Sequence, residues 1–556
     1  MKNILVIIAF FQLITVNAQE EIKKEDVVVE FSFNPSLSDV FKLKTNPNTT
    51  VTVPKTKINY EVSSKEVPSD FEPTIKKVEY VPVNEEIQKL YPHYVYAVAG
   101  LYGNAELDLM LRPKNFKGFE YSIDVRHTNN QNGITSVLDN GTLSTFLNLY
   151  VKNKTENFRW GSNIGFDRNQ VRWFGADTAL ATTAYENLNV KQLYNTFLLS
   201  GKLDFENGLV KTIEPSLAIT SDSYNSNEID FKVKASGVIN LFKKDFDSTL
   251  EVNTLSGGFK QSYASLNAID YNFFNVAFTP RYNIKKENWS LNSSVSIVIA
   301  SDAENNNTKL LVLPNVEYST AILKDLMTFN GGFRSSFTQN SYYSLLKKNL
   351  FIAPTINLRA SYVPSELYAG LSGKLSRALS YQTEVGYSLE KNKALFVNNN
   401  AISALGVVAN PYEAGNTFGL VYDDVNTLKL KGLVSYEINN NLTTKAVATA
   451  NFYSAATFDK TWNLPTYKLE SVTSYTYQKW YGQLGAYIVG SRYDLVANNS
   501  TKIKGFVDVN LKGQYNFNNR FSAHANIYNM LANKYESYIN YQVQSIQAVI
   551  GVSYKF

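Results

Sequence analysis

The sequence predicts an all-β fold, a transmembrane antiparallel β-barrel of about 22 strands preceded by a short irregular N-terminal arm. Two observations carry this prediction. The chain opens with an export signal, and segments that alternate apolar and polar residues recur up to Phe556. The composition agrees, since 44% of the 556 residues are hydrophobic and 13% are aromatic.

The composition also excludes several classes of protein. There are 54 basic and 49 acidic residues, a net charge of +5, so neither intrinsic disorder nor a nucleic-acid partner is expected. The absence of Cys excludes disulfides, thiol catalysis, thiolate metal sites and a lipid-anchored lipoprotein. The three His residues show no metal-ligand spacing. No cofactor and no metal are expected.

Residues 1–18 are interpreted as a signal peptide. Lys2 precedes the apolar run 4–11, and Val16-Asn17-Ala18 supplies the small residues of a cleavage site before Gln19. The run is shorter than the ~20 apolar residues that a spanning helix requires. The chain is therefore expected to cross the inner membrane without remaining in it.

The final strand shows the alternation in its clearest form. Ile550, Val552, Tyr554 and Phe556 form one apolar face, and the intervening residues are mostly polar. Such a strand can turn one face to lipid and the other to a polar lumen, although an ordinary amphipathic sheet strand has the same pattern. The terminal aromatic residue also resembles the signal that the barrel-assembly machinery reads, so these four residues are the predicted insertion signal.

Three further hairpins repeat the pattern. Their turns are predicted at Asn518-Asn519, within 439–441 and at Gln478-Lys479, and a strand near the other end alternates over 119–126. Charged residues on the second face of these strands would be costly in a dry core, but a hydrated lumen accepts them.

The orientation and the strand number follow from these turns. If the C-terminus is periplasmic, the short turns at Asn440, Lys479 and Asn519 are periplasmic, and 490–501 and 531–540 are longer outer loops. The turns recur about every 40 residues, which gives roughly 22 strands. A barrel of about 14 to 16 strands with long outer loops is the alternative.

Residues 19–92 form a predicted arm before the barrel of residues 93–556. The arm contains seven of the fifteen prolines, so it can contribute few ladder hydrogen bonds. We expect it to be periplasmic or inserted into the lumen. There it would close the pore together with outer loops folded inward.

Several segments resemble TonB-dependent receptors. The segment 528–535 before the last strand is similar to the end of their barrels, and 34–42, 100–104 and 421–424 resemble a set of receptor-like barrels that lack the plug domain. The resemblance implies a transport-related outer-membrane barrel without a plug. The arm is about half as long as the globular plug of such receptors, which weakens the expectation of energised import through TonB.

One part of the arm looks like the segment through which such receptors engage TonB. It consists of Asp26, Val27, Val28 and Val29. Short valine runs are also common in exported β proteins, so an ordinary extended segment is the alternative.

No catalytic site is predicted. His127 and His524 are expected at the outer ends of strands in polar roles, and Asp423-Asp424 in a solvated turn. Tryptophan residues are expected in the belts at the membrane interfaces. These residues are Trp160, Trp173, Trp289, Trp462 and Trp480.

Two classes of function remain open, and neither is enzymatic. The first is a channel or receptor-like transporter in the Gram-negative outer membrane. The second is a non-transporting barrel that serves as a subunit or scaffold of an assembly or secretion complex. The expected partners are outer-membrane lipids and the barrel-assembly machinery, and for a scaffold also other outer-membrane proteins or surface lipoproteins.

Overall fold

The computed structural model describes residues 91–113, 118–131, 133–134, 138–176, 188–324, 326–402 and 410–556. The predicted signal peptide, nearly all of the predicted arm and the Asp26–Val29 segment lie outside these residues.

Twenty-two strands form one sheet, in agreement with the predicted number, and the alternative of 14 to 16 strands is wrong. They are β1 (His93–Gly100), β2 (Ala105–Leu111), β3 (Glu120–Asn130), β4 (Thr142–Lys154), β5 (Phe158–Arg172), β6 (Lys191–Phe205), β7 (Val210–Asp222), β8 (Asn227–Leu241), β9 (Lys244–Phe259), β10 (Ile269–Lys285), β11 (Trp289–Asp302), β12 (Asn307–Leu323), β13 (Met327–Gln339), β14 (Ala360–Lys374), β15 (Leu379–Asn398), β16 (Phe418–Asn439), β17 (Leu442–Ala455), β18 (Tyr467–Tyr477), β19 (Trp480–Val489), β22 (Phe506–Asn516), β23 (Phe521–Tyr528) and β26 (Gln547–Lys555). The remaining strands form two separate hairpins, β20 (Arg492–Val496) with β21 (Asn499–Ile503) and β24 (Glu536–Tyr538) with β25 (Tyr541–Gln542).

The sheet closes on itself. Each strand pairs antiparallel with the next barrel strand along the chain, and β1 pairs with β26 to complete the barrel. At the closure the backbone nitrogen of His93 donates to the carbonyl of Phe556 at 3.1 Å, and the reverse bond is 3.0 Å. Closure removes the sheet edges that would otherwise expose unpaired backbone groups.

The predicted alternation decides which face each strand turns outward. On β22, Val507 and Leu511 are exposed on the outer surface, whereas Asp508 between them is 4% exposed. On β26, Ile550 and Val552 are exposed outward and Ser553 is buried. The barrel therefore has an apolar outer surface and a polar inner wall.

The two ends of the barrel differ. At one end lie His93, Phe556 and the short turns, including those at 440–441, 478–479 and 517–520; we call it the turn end. At the other, the loop end, the connections are longer and include 340–359 and 399–417. The predicted short turns thus share an end with the C-terminus, and the two predicted outer loops lie at the opposite end.

Aromatic side chains ring the outer surface at the turn end. Rings on neighbouring strands lie close together in pairs, as expected for an aromatic belt at a membrane interface. Trp160 lies 6.1 Å from Phe119, Trp289 lies 6.2 Å from Tyr318, and Trp480 lies 4.7 Å from Tyr515.

Among the described residues, helical structure is confined to connections. The α-helix α1 (Tyr342–Leu346) lies between β13 and β14, and Ser341 caps it by accepting a hydrogen bond from the nitrogen of Ser344. In the part of the chain that the structure describes, no helix is long and apolar enough to span a bilayer.

Candidate functional site: a charged lumen and a loop-end cap

The lumen wall carries a network of charged side chains on β13 to β16. Arg334 Nη2 lies 3.1 Å from Glu384 Oε2, and Arg334 Nη1 lies 3.5 Å from Glu366 Oε1. The guanidinium carbon of Arg334 is 3.3 Å from the ring centre of Tyr368. Lys429 Nζ approaches Glu384 at 3.8 Å. So many charged groups are compatible with a hydrated interior, because water and oppositely charged partners both stabilise them.

A second polar network lines the lumen across the closure between β1 and β26. The amide of Asn526 on β23 donates to the hydroxyl of Tyr96 on β1 at 3.0 Å, so the bond passes over β26. His524 lies 2.8 Å from Ser553 Oγ, and its ring packs edge-on against Tyr96 at 4.9 Å. The short strands at the closure are thereby tied together by side chains as well as by their ladders.

The two histidines have different positions. His127 lies toward the loop end of β3 and faces outward. Its Nδ1 atom is 2.8 Å from Thr145 Oγ1, in agreement with the predicted polar role. His524 lies in the middle of β23 and faces the lumen, so its predicted place at an outer end is wrong. Its burial follows from the strand register, since His524 pairs with Gly551 and leaves the ring room beneath Tyr96.

At the loop end the connections pack together into what we call the cap. Its members come from strands around the whole circumference, so they meet over the lumen. The cap comprises the described parts of 131–141, 173–190, 223–226, 260–268, 340–359, 399–417, 490–505 and 529–546.

The segment 340–359 is anchored to strands on another part of the wall. Glu228 on β8 accepts hydrogen bonds from the backbone nitrogens of Tyr342 at 2.6 Å and Tyr343 at 2.9 Å. Asp222 at the end of β7 accepts from the hydroxyl of Tyr342 at 2.9 Å. These residues are 114 and 120 positions apart in the chain, so the segment crosses the mouth between β13 and β8.

An aromatic core holds the cap together. Tyr541 stacks on Phe351 at 3.7 Å, and its hydroxyl donates to the carbonyl of Asn416. The amide of Asn416 in turn donates to the carbonyl of Trp173 at 2.7 Å. Trp173 and Tyr541 are both 0% exposed. Burial of rings from three connections makes the cap a packed structure with its own hydrophobic core.

The tryptophan prediction needs correction for two residues. Trp173 is buried in the cap core, and Trp462, 3% exposed, packs with Leu395 and Val397 against the β20–β21 hairpin. Both lie beyond the ends of strands that face lipid, where the cap supplies apolar contacts. Trp160, Trp289 and Trp480 occupy the predicted belt.

The β20–β21 hairpin is fixed in the cap by two buried charged residues. Asp494 accepts hydrogen bonds from the backbone nitrogens of Asn398 at 3.0 Å and Leu495 at 2.8 Å. The guanidinium of Arg492 donates to the carbonyl of Glu536 at 2.8 Å and also to that of Ser537. Burial raises the pKa of Asp494 to about 6.

Asp423 and Asp424 occupy strand β16, so the predicted solvated turn is wrong. Asp423 accepts hydrogen bonds from the nitrogens of Thr457 and Phe458, and Asp424 pairs with Lys391 at 2.7 Å. These partners come from neighbouring connections and strands, which the local sequence does not reveal. The described ranges contain no group of three or more His, Cys, Asp or Glu that could hold a metal ion.

Of the predicted insertion signal, Ile550, Val552 and Tyr554 share the outward face of β26, and Phe556 directly follows the strand. Ile550 is 71% exposed, Val552 45%, Tyr554 38% and Phe556 43%. The rings of Tyr554 and Phe556 stack at 5.6 Å within the turn-end belt. Their role in insertion remains a prediction.

The cap anchors escaped prediction from sequence. Glu228 and Asp222 look like ordinary polar residues at strand ends. One signal was present, since aromatic residues are frequent in the long connections, for example Tyr342, Tyr343 and Tyr412. Solvated loops have little use for such rings, so their abundance indicates packing.

Comparison with known proteins gives matches at the level of the fold. No protein-family model matches the chain, and no curated protein matches it. The pyoverdine outer membrane receptor FpvA from Pseudomonas aeruginosa PAO1 superimposes with a TM-score of 0.60 at 13% identity, over 84% of this chain and 78% of that chain. The siderophore receptor PiuA from Acinetobacter baumannii gives 0.60 at 10% identity, over 84% and 82%. The copper transporter OprC gives 0.59 at 11% identity, over 84% and 80%. The chain therefore has the 22-strand barrel fold of TonB-dependent receptors, as the sequence resemblance predicts.

Proposed function

We propose that the protein is a plug-less, TonB-dependent-receptor-like barrel of the Gram-negative outer membrane whose lumen serves transport. The observation that carries the proposal is the charged network of Arg334, Glu366, Glu384 and Lys429 on the inner wall behind an apolar outer surface. Lipid outside and water inside is the arrangement that satisfies both faces. A membrane-embedded scaffold with a dry core would have no use for these charges.

The orientation in this proposal places the turn end and the C-terminus in the periplasm. Barrels of this kind keep short turns on the periplasmic side and longer loops outside, and the two ends of this barrel differ in that sense. The cap then faces the exterior. His93, where β1 begins, lies at the periplasmic end in this orientation.

The arm before His93 has a part in the proposal. A barrel of 22 strands encloses a lumen too wide for its own side chains to fill. We infer that residues 19–92 occupy or approach the periplasmic mouth while the cap covers the outer mouth. The fold neighbours are described as siderophore receptors and a copper transporter, and any such cargo is an open part of the proposal. An enzymatic role has no place in it.

A second function is favoured by the cap itself. The cap has its own hydrophobic core and hydrogen bonds that cross the mouth, and a permanently closed barrel would suit a scaffold or subunit of an outer-membrane complex. Its partners would be other outer-membrane proteins or surface lipoproteins, in assembly or secretion. The barrel-assembly machinery would insert the protein in either case.

Conductance tests whether the cap and the arm close a hydrated lumen, as the transport proposal requires. The test variant replaces 342–352 by a Gly-Ser segment of equal length in the full-length chain and in a chain without residues 22–90. The control replaces the turn 303–306, which lies outside the cap, in the same way. Transport predicts larger single-channel conductance in planar bilayers for the cap variant without the arm than for its control.

Purification from native membranes in mild detergent completes the test. Scaffolding predicts stoichiometric partners that co-purify with the wild-type chain, whereas transport predicts that the barrel purifies without them. A folded cap variant without the arm that conducts no more than its control would contradict the transport proposal.

A further inference from the structure

A row of polar residues borders the apolar outer surface on β3 to β6. His127, Thr145, Arg168 and Asn195 are register partners in that order and face outward. The next outward residues toward the turn end on β4 to β6 are Leu147, Phe166 and Phe197. Beyond the row, toward the loop end, the outward residues are Leu143, Gln170 and Leu193, so the row begins the change from the apolar surface to the polar positions of the loop end.

Three cations lie on or beyond this row. Arg168 and Lys191 are exposed, and Arg172 is the register partner of Lys191. Arg172 Nε pairs with Asp139 Oδ2 at 2.6 Å, so one of the three charges is shared with an acidic residue. We call Arg168, Arg172 and Lys191 the basic patch. On the following hairpin the outward positions near the loop end are Ser221 and Asn227, which carry no charge.

The height of the basic patch above the turn-end belt follows from the residue positions along β5. Trp160 belongs to the turn-end belt and faces outward like Arg168 and Arg172. With a rise of about 3.3 Å per residue and a tilt of about 40°, Arg168 lies ~20 Å and Arg172 ~30 Å above Trp160. The apolar band of such barrels is about 25 Å tall. The patch therefore falls at the height of the lipid headgroups of the leaflet at the loop end.

We propose that the basic patch binds the phosphate groups of a membrane lipid in the leaflet at the loop end. The inference rests on the proposed membrane location. At this height on the outer wall the neighbouring molecules are lipids, and the only strong anions of a lipid headgroup are its phosphates and carboxylates. The planar guanidinium of arginine and the ammonium group of lysine both donate hydrogen bonds to phosphate oxygens.

The side chains around the patch support this partner. Asn195 and Thr145 flank Arg168 on the same face and can donate to sugar or phosphate oxygens, while Leu147 and Phe197 below them meet acyl chains. A soluble protein would have to reach into the headgroup layer to contact the same residues. Phosphorylated lipid is therefore the occupant that fits both the height and the charge.

The test uses the full-length folded barrel in detergent and lipid A as the probe. Native mass spectrometry measures binding of lipid A with its phosphates and of dephosphorylated lipid A. The variant Arg168→Gln with Lys191→Gln should bind the phosphorylated lipid about tenfold more weakly or worse, because two charged contacts are lost. The matched control is Lys234→Gln with Lys445→Gln, which removes the same charge from lumen-facing positions and should bind as the wild type does.

The outcomes separate this inference from the proposed location. Equal binding by the wild type and the patch variant, or equal binding of both forms of lipid A, overturns the inference. Heat-modifiable folded protein in the outer-membrane fraction is measured for every variant. If the outer-membrane fraction contains the folded barrel but the patch variant binds lipid A as the wild type does, only the inference fails. If the folded barrel is absent from that fraction, the proposed location fails.

Discussion

The carboxylate of Glu228 on β8 lies 2.6 Å from the backbone nitrogen of Tyr342 in α1, on a connection that leaves the wall between β13 and β14. The same carboxylate accepts from Tyr343 at 2.9 Å and from the hydroxyl of Tyr271 at 3.0 Å. One side chain on the wall thus fixes the segment that crosses the mouth. Its three donors come from two distant parts of the chain.

The first prediction concerns this anchor. Glu228→Gln keeps the volume of the side chain but replaces one acceptor oxygen by a donor, which cannot accept from either backbone nitrogen. Hydrogen bonds to a charged group contribute about 1.5 to 3 kcal/mol each. We expect faster amide hydrogen exchange over 341–350, measured by mass spectrometry. Glu251→Gln, on the lumen wall of β9, should leave exchange there unchanged, and equal protection in both variants would contradict the anchoring role.

The hairpins could be predicted from sequence and the cap could not, for a physical reason. The alternation over 506–528 follows from the period of a strand, which neighbouring residues record. The cap depends on contacts such as Tyr194 with Leu350, which lie 156 residues apart. Trp160 and Trp173 are only 13 residues apart, yet one joins the belt and the other the cap core, because β5 runs the height of the wall from the belt and ends just before Trp173. Only the closed barrel brings those distant partners together.

The second prediction concerns insertion. Phe556→Ala with Tyr554→Ala removes two stacked outward rings at the end of β26. Apolar burial of such side chains contributes roughly 1.5 to 3 kcal/mol each, and the proposed insertion signal is lost as well. We expect less heat-modifiable folded protein in the outer-membrane fraction.

Lys555→Ala is the control for this double variant, because Lys555 lies between the two rings in sequence but on the opposite face of the strand. It should insert normally. Normal folding and insertion of the double variant would count heavily against a role for these residues.

The third prediction concerns the arm. We propose that residues 19–92 narrow the lumen at the turn end, since a 22-strand barrel leaves a wide interior. Deletion of residues 22–90 with the signal peptide retained should raise single-channel conductance in planar bilayers. Identical conductance with and without the arm would leave it free to bind a partner.

The fourth prediction is a pH dependence of the β20–β21 hairpin. Burial raises the pKa of Asp494 from 3.8 to about 6, so the docked hairpin holds its proton over a range in which the released hairpin has lost it. The stability of docking is therefore highest below pH ~4 and falls by up to about 3 kcal/mol as the pH rises through ~6.

Hydrogen exchange over 492–503, corrected for the intrinsic effect of pH, should thus show weaker protection at pH 7.5 than at pH 4.5. Asp494→Asn should remove most of this difference because amide groups do not titrate. Asp459→Asn, at an exposed position in a neighbouring connection, should retain it. Protection that rises with pH in the wild type would show that the sign is wrong.

The last prediction decides whether the arm couples the barrel to TonB. Segments of this type bind by adding a strand to their partner, and proline at Val28 removes a backbone donor and fixes the backbone angle φ. If Asp26 to Val29 form such a segment, Val28→Pro should abolish function as fully as removal of TonB. Val51→Pro places the same residue elsewhere in the arm and should have no effect. A scaffold predicts that both proline variants are silent, while charged substitutions on the lipid-facing wall or in the cap release a co-purifying protein. Normal growth and intact complexes in the Val28→Pro strain would therefore exclude energised import and leave the subunit function as the better account.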